Sequence, residues 1–155
     1  MKKVAVAGSI IVLAAVLMCG CAGMGKKSPE ELAMQRSQDL INVIFAGEVD
    51  KVLDFISEDF THYEVPDKAT IADYIKMGKD MGYVGTIEDN KKQLTDRGMK
   101  IGLENAKATA DKEKGTVTVY PIDASADMGS VTIEFTWKLD KDGVYRIVGA
   151  DVEGI

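Results

Sequence analysis

The chain has 155 residues, 25 acidic and 19 basic, with a formal charge of −6. That balance gives no basic patch for a nucleic acid or an anionic lipid surface, so neither is an expected partner. One histidine, with both cysteines inside the first 21 residues, excludes an ordinary structural zinc site in the rest of the chain.

Met1-Lys2-Lys3 is a short basic start, and residues 4–18 are a run of Val, Ile, Leu and Ala broken only by Gly8 and Ser9. An apolar run this short behind two lysines reads as a signal-peptide core rather than a membrane span. The next residues, Met18-Cys19-Gly20-Cys21-Ala22, resemble the lipobox of bacterial lipoproteins. Cys21, behind the small Gly20, fits that pattern better than Cys19 behind Met18; Met18 itself stands where Leu is usual. The resemblance implies cleavage before Cys21, acylation of Cys21 and a lipid anchor in the cell envelope. Ala22, where an Asp would direct retention, implies the outer membrane, facing the periplasm, in a host with two membranes. The alternatives are an ordinary secretory signal with incidental cysteines and a retained membrane anchor. The division is then 1–20 signal peptide, 21–28 lipidated cysteine and short tether, and 29–155 one domain. Removing residues 1–20 takes away Lys2 and Lys3, shifts the charge from −6 to −8, and leaves a domain without thiol or disulfide.

Ser28-Pro29-Glu30-Glu31 combines an N-cap, a first-turn proline and a capping box. A helix is expected from there to about Ala46, stopped by Gly47, with Leu32, Gln35 or Arg36, Leu40, Val43 and Ile44 inward. Val49, Val52, Leu53 and Ile56 predict a second, short helix. Residues 61–65 are expected as a short strand ending at Pro66. Residues 69–81 predict a third helix with Ile71, Tyr74, Ile75 and Met77 inward. Residues 82–98 hold little apolar spacing and fit a loop, an amphipathic turn or a polar edge strand.

Residues 99–110 and 115–124 read as two strands joined by a charged turn, the second at an edge or bulged because Pro121 has no N–H for a ladder. Val131, Ile133, Phe135, Trp137 and Leu139 then alternate with polar residues, the signature of a strand. Asp140-Lys141-Asp142-Gly143 closes a hairpin, because glycine takes the left-handed turn position without penalty. Unbroken register sets Leu139 opposite Tyr145, Trp137 opposite Ile147, Phe135 opposite Gly149 and Ile133 opposite Asp151. It places Asp151 on the apolar face, unless the strand frays before it and leaves it solvated. It also pairs Lys138 with Arg146. Helices first and antiparallel strands after argue an α+β fold, three N-terminal helices packed on a curved sheet.

This order resembles the nuclear transport factor 2-like superfamily, which includes ketosteroid isomerases and polyketide-cyclase-like proteins. The residues that carry the resemblance are Gly47-Glu48-Val49-Asp50 with Val52-Leu53, Glu58-Asp59-Phe60, Ile71-Ala72-Asp73-Tyr74-Ile75, and Trp137-Lys138-Leu139 with residues 142–148. It spans residues 28–152. It implies a cone whose open end is a pocket, and dimerisation through the sheet. The fold alone names no activity, since such cones host enzymes, ligand binders and interaction modules.

The expected pocket is Phe135, Trp137, Tyr74, Ile147 and Asp151. Asp151 and His62 are the candidate catalytic residues, with Tyr63, Asp73 and Tyr120 also weighed. An Asp in an apolar cone would have a raised pKa and serve as a base, with a Tyr donating to a developing oxyanion. Against this, a lone His on a strand is more simply a hydrogen-bonding surface residue, Tyr74 a core residue, and the acids of 88–96 a solvated face. The isomerase's catalytic set does not map residue by residue onto the chain. The Asp140-Lys141-Asp142-Gly143 turn fails as a calcium loop, with Lys138 at the first ligand position and Gly149 where the bidentate Glu belongs. No phosphate loop or nucleophile elbow occurs, and no cofactor is expected. The leading expectation is a non-catalytic, lipid-anchored domain that binds a small apolar ligand or an envelope protein, alone or as a homodimer. The alternative is an isomerase- or cyclase-type enzyme using Asp151 or His62.

Overall fold

A computed structural model describes residues 27–154. The signal-peptide and Cys21 readings therefore lie outside the described residues. Helix α1 (Pro29–Phe45) begins as its residues dictate: the Ser28 hydroxyl accepts from the Glu31 N–H at 3.2 Å, and the Glu31 carboxylate accepts from the Ser28 N–H at 2.7 Å. Its buried face is Ala33, Ser37, Leu40 and Ile41, rotated from the stripe expected through Leu32. Small residues at 33 and 37 let the helix lie close to the sheet, and the Ser37 hydroxyl donates back to the Ala33 carbonyl at 3.0 Å. Gly47, at φ +73°, turns the chain out of the helix in the left-handed region that glycine favours.

A 3₁₀ helix (Val49–Phe55) takes the place of the second helix. Helix α2 (Lys68–Asp80) is capped by Asp67, and α3 (Ile87–Asp96) by a reciprocal box between Thr86 and Asp89. Neither α2 nor α3 buries a residue fully. Tyr74 and Met77 are thus on the outside of α2 rather than inward. Residues 61–65 do not form the expected strand. Only Ile56 bridges Ile147 in parallel, and the N–H groups of Ser57 and Thr61 donate to the carbonyls of Ile147 and Val148 at 2.9 and 3.1 Å. Bonds four residues apart make no ladder, and residues 56–61 cover the sheet edge without joining it.

The sheet is antiparallel throughout. Strands β1 (Lys100–Gly102) and β2 (Lys107–Asp111) both pair with β3 (Thr116–Ala126), followed by β4 (Gly129–Leu139) and β5 (Tyr145–Glu153). The expected strand 99–110 is therefore two, broken at a turn where the Ala106 N–H donates to the Leu103 carbonyl at 3.0 Å. Strand β3 lies inside the sheet, and its ladder skips between Val119 and Ile122. Of the two readings of Pro121, the bulge is the one observed.

The hairpin starts in the expected register, with Leu139 opposite Tyr145 and Trp137 opposite Ile147. Val148 is then an extra residue. Beyond it Thr136 faces Gly149, Phe135 faces Ala150, Glu134 faces Asp151 and Ile133 faces Val152. Because strand side chains alternate, one extra residue exchanges the two faces, so Asp151 moves from the apolar face to the polar one.

The turn of this hairpin is clamped. The Arg146 guanidinium donates to Asp140 at 3.0 Å and to both oxygens of Asp142 at 2.9 and 2.8 Å, while its Nε donates to the Asp54 carbonyl at 3.2 Å. The buried Ser57 hydroxyl donates to Asp140 at 2.9 Å. These bonds tie the turn to the end of the 3₁₀ helix and offset the Lys138–Arg146 pairing. On α1, the Arg36 guanidinium lies 4.0 Å over the Phe55 ring and donates to the Tyr145 carbonyl at 3.2 Å. Among the described residues no helix is long and apolar enough to cross a membrane.

The Arg146 hydrogen bonds, with help from the Val144 N–H, hold the Asp142 carboxyl down at about 2. A depressed carboxyl pKa contributes stability that is present above the ordinary value and is lost as pH falls through the folded one. Urea unfolding of Arg146→Ala is expected to show a loss of about 1–2 kcal/mol at neutral pH, an exposed clamp being weaker than a buried one. The gap to the unmodified protein should narrow as pH falls from about 4 towards 2; an unchanged gap across that window would remove Asp142 from the clamp.

Candidate functional site at the open end of the sheet

Helix α1 covers only part of the apolar face of the sheet. Under it, Val119, Ile122 and Trp137 are wholly buried and Ile147 is nearly so. These residues, with Phe55, Ile56 and Phe60, make the core. The same face continues past the end of α1, following the alternation Phe135, Ile133, Val131 on β4 and Ala150, Val152 on β5. There the covering stops: Ile133 and Val131 are half-buried and Val152 is 45% exposed.

Two adjoining cavities occupy this end. One, of about 550 Å³, is walled by Met99, Ile101, Val131 and Ile133 over a floor of the small residues Ala124, Ala126, Gly129 and Gly154. The other, of about 390 Å³, lies between the end of α1, the 3₁₀ helix and α3, with Ile44, Val52, Val84 and Leu94 inside. Met99 lines both. Among the described residues, the first cavity has Ser125 and Ser130 as its polar side chains and no titratable one. The second carries Tyr83, Asn90, Gln93 and Arg97. Asn90 is already engaged, its side-chain amide donating to the Gly47 carbonyl at 3.0 Å. Such a site can desolvate and hold an apolar body, with methionine and small residues that adapt to shape. Among the described residues, the lining of the first cavity presents no acidic or basic side chain.

The residues expected from sequence to form a site are dispersed. Trp137 and Ile147 lie in the closed core, and Phe135, partly buried against that core, lies on the same face between Trp137 and the cavity-lining Ile133, edge-on to Trp137 with ring centroids 6.1 Å apart. Trp137 Nε1 is buried and has no protein acceptor among the described residues. Tyr74 is on the outer side of α2. Asp151 is exposed, and its carboxylate accepts from the N–H of its neighbour Val152 at 2.9 Å. His62 lies in the loop before α2, its Nδ1 accepting from the Glu64 N–H at 3.1 Å and its ring 4.4 Å from that of the exposed Tyr63. Asp73 is exposed on α2. Tyr120 is on the polar face of the sheet, donating to Glu153 at 3.2 Å, and the Glu153 charge raises its pKa. A tyrosine–carboxylate pair thus exists, but it is outside the cone. Met99, Ile101 and Val131 line the site without belonging to the set expected from sequence. Their alternation is visible in the sequence, as is a reason for the bulge at Pro121; the bulge at Val148 is not.

No family model matches the chain, and no curated protein does. Solved structures do. The CaMKII hub of S. rosetta superposes with a TM-score of 0.56 at 13% identity, over 84% of this chain and 100% of that one. Bd1075 of Bdellovibrio bacteriovorus gives 0.50 at 9% identity over 79% of this chain, which spans 39% of the length of that protein. An NTF2-like protein with a cystatin-like fold from Novosphingobium aromaticivorans gives 0.47 at 15% identity over 95% and 90%. At these identities the likeness is one of fold. The α+β class, helices on a curved antiparallel sheet, is the one the sequence implied.

Trp137 is the chain's single tryptophan, so its emission reports on the junction of core and cavity. Native emission should be blue-shifted and resistant to iodide. Phe135→Ala should cost about 2–3 kcal/mol, below a fully buried Phe because Phe135 is half-buried, and should open Trp137 to quenching. Unchanged quenching would mean that Phe135 does not separate core from cavity.

Proposed function

We propose that this is a lipid-anchored cell-envelope domain, of the nuclear transport factor 2-like kind, that binds a small apolar ligand at the open end of its sheet without acting on it. The observation that carries the reading is the 550 Å³ cavity with apolar walls, a floor of small residues and no titratable side chain among the described residues that line it. The Cys21 lipobox supplies the anchor. The enzyme alternative requires Asp151 or His62 inside the cone; with Asp151 on the polar face and His62 in the loop before α2 beside the exposed Tyr63, no specific observation favours it. A protein ligand or a homodimer is compatible with the same anchored domain.

An apolar fluorophore such as N-phenylnaphthylamine should brighten on binding the wild-type protein. Val131→Glu, which sets a carboxylate on the cavity wall, should weaken that binding about tenfold or more. Asp151→Asn should leave it unchanged. No brightening with the wild-type, or equal binding by Val131→Glu, would overturn the assignment of the cavity.

In a bacterial host, Cys21→Ser should move the protein from the membrane fraction to the soluble one and remove the mass of the acyl chains. A wild-type protein of unacylated mass would reject the anchor.

A further inference from the structure

Helix α3 turns one stripe towards the second of the two cavities at the open end. Asn90, Gln93, Leu94 and Arg97 recur at i, i+3, i+4 and i+7, and all four line that cavity. The acids of the helix lie off the stripe: Asp89 is engaged in the Thr86 cap, Asp96 pairs with Lys92, and Glu88 is exposed. Among the stripe's polar groups, the Asn90 amide is held by the Gly47 carbonyl, and the Gln93 amide reaches the Tyr83 carbonyl only at 3.5 Å. Arg97 makes no ion pair among the described residues.

The main chain fixes where Arg97 stands. Its N–H donates to the Gln93 carbonyl at 3.1 Å, and its carbonyl accepts from the Asp127 N–H at 3.0 Å. Asp127 lies between Ala126 and Met128, which line the first cavity. Arg97 is therefore at the seam between the two cavities, two residues before Met99, which lines both. Asp127 itself is exposed and lies in neither lining; its carboxylate rests over Gly98, where an added Cβ would come within 2.7 Å of it. Among the described residues, Arg97 is the one charged side chain in the lining of either cavity. A guanidinium at the rim of an apolar space offers a carboxylate or phosphate two parallel donors. A cationic head would find no carboxylate in either lining.

We propose that the ligand of this site is an anionic amphiphile: its apolar chain passes Met99 into the first cavity, and its carboxylate or phosphate head is held by Arg97, with the Gln93 amide as a second donor. This rests on the apolar-ligand reading of the first cavity and adds the charge of the head and its place. The chain as a whole is acidic, so its long-range field gives an anion no help. Selectivity for a negative head therefore comes from Arg97 alone, and changing that one residue removes it.

The test is displacement of N-phenylnaphthylamine from the full chain by dodecanoate, dodecyl phosphate and dodecan-1-ol, which share one tail and differ in the head. At least one of the two anions should displace the probe at a concentration about tenfold below that of the alcohol, and the better of the two identifies the head. Each variant is read as its own ratio of anion to alcohol, so a general change in probe binding cancels. Arg97→Gln should bring the ratio to about one, and Arg97→Glu should turn it against the anions. Anions no better than the alcohol, or a preference that survives Arg97→Gln, would overturn the inference while the apolar site stands. A wild-type protein that binds neither the probe nor the alcohol would overturn the site and the inference together.

Discussion

Two extra residues, one in each neighbour of β4, decide what faces the helices. Strand β3 gains its bulge at Tyr120–Pro121 and β5 gains its own at Val148, both near the middle of β4. A bulge bends its strand and exchanges its faces. Here the two together keep the apolar set on one face along the whole sheet: Val119 passes to Ile122, and Ile147 to Ala150 and Val152. Without the Val148 bulge, Gly149 and Asp151 would face the helices, and the open end would hold a carboxylate instead of Val152.

Everything else is arranged around that curved face. The half nearest the hairpin turn is closed by α1 and by the 3₁₀ helix; the Arg146 clamp locks the 3₁₀ helix to the turn, and Arg36 ties α1 to the Tyr145 carbonyl. Ala33 and Ser37 give α1 a flat side, so the bulky Trp137 row is sealed. The far half has no such cover, because α2 and α3 present few apolar residues to it. A rigid end and an adaptable end on one sheet is a sensible division for a binding domain: the first supplies stability, the second the space.

Local chemistry makes much of this legible. The capping box at Ser28 marks the start of α1, and the alternation from Val131 to Leu139 marks β4, the turn and the first pairs of the hairpin. The α+β class follows from the order of those elements. What sequence does not show is whatever depends on a single skipped residue. Pro121 announces its bulge by lacking an N–H, whereas Val148 carries no signal, being an ordinary strand residue inside an apolar run. Unbroken register therefore misplaces the pocket by one residue along β5 and puts Asp151 into the cone. Helix α3 is hidden for a different reason. Its apolar content is low, and only the Thr86–Asp89 cap pair, with Asp in place of the more usual Glu, marks its start. Tyr74 and Met77 fit a helical stripe, but nothing in their spacing says whether a partner covers it.

The claim on which the functional reading turns is that the open end, and not the core, receives the ligand. Methyl-detected NMR of the isoleucine, leucine and valine side chains, with N-phenylnaphthylamine added stepwise, tests it most directly. Binding at the open end predicts shifts at Ile101, Val131 and Ile133, with Ile147 and Val117 unmoved. Shifts that spared the first three and fell on Leu103 and its surroundings, or no shifts at saturation, would contradict it.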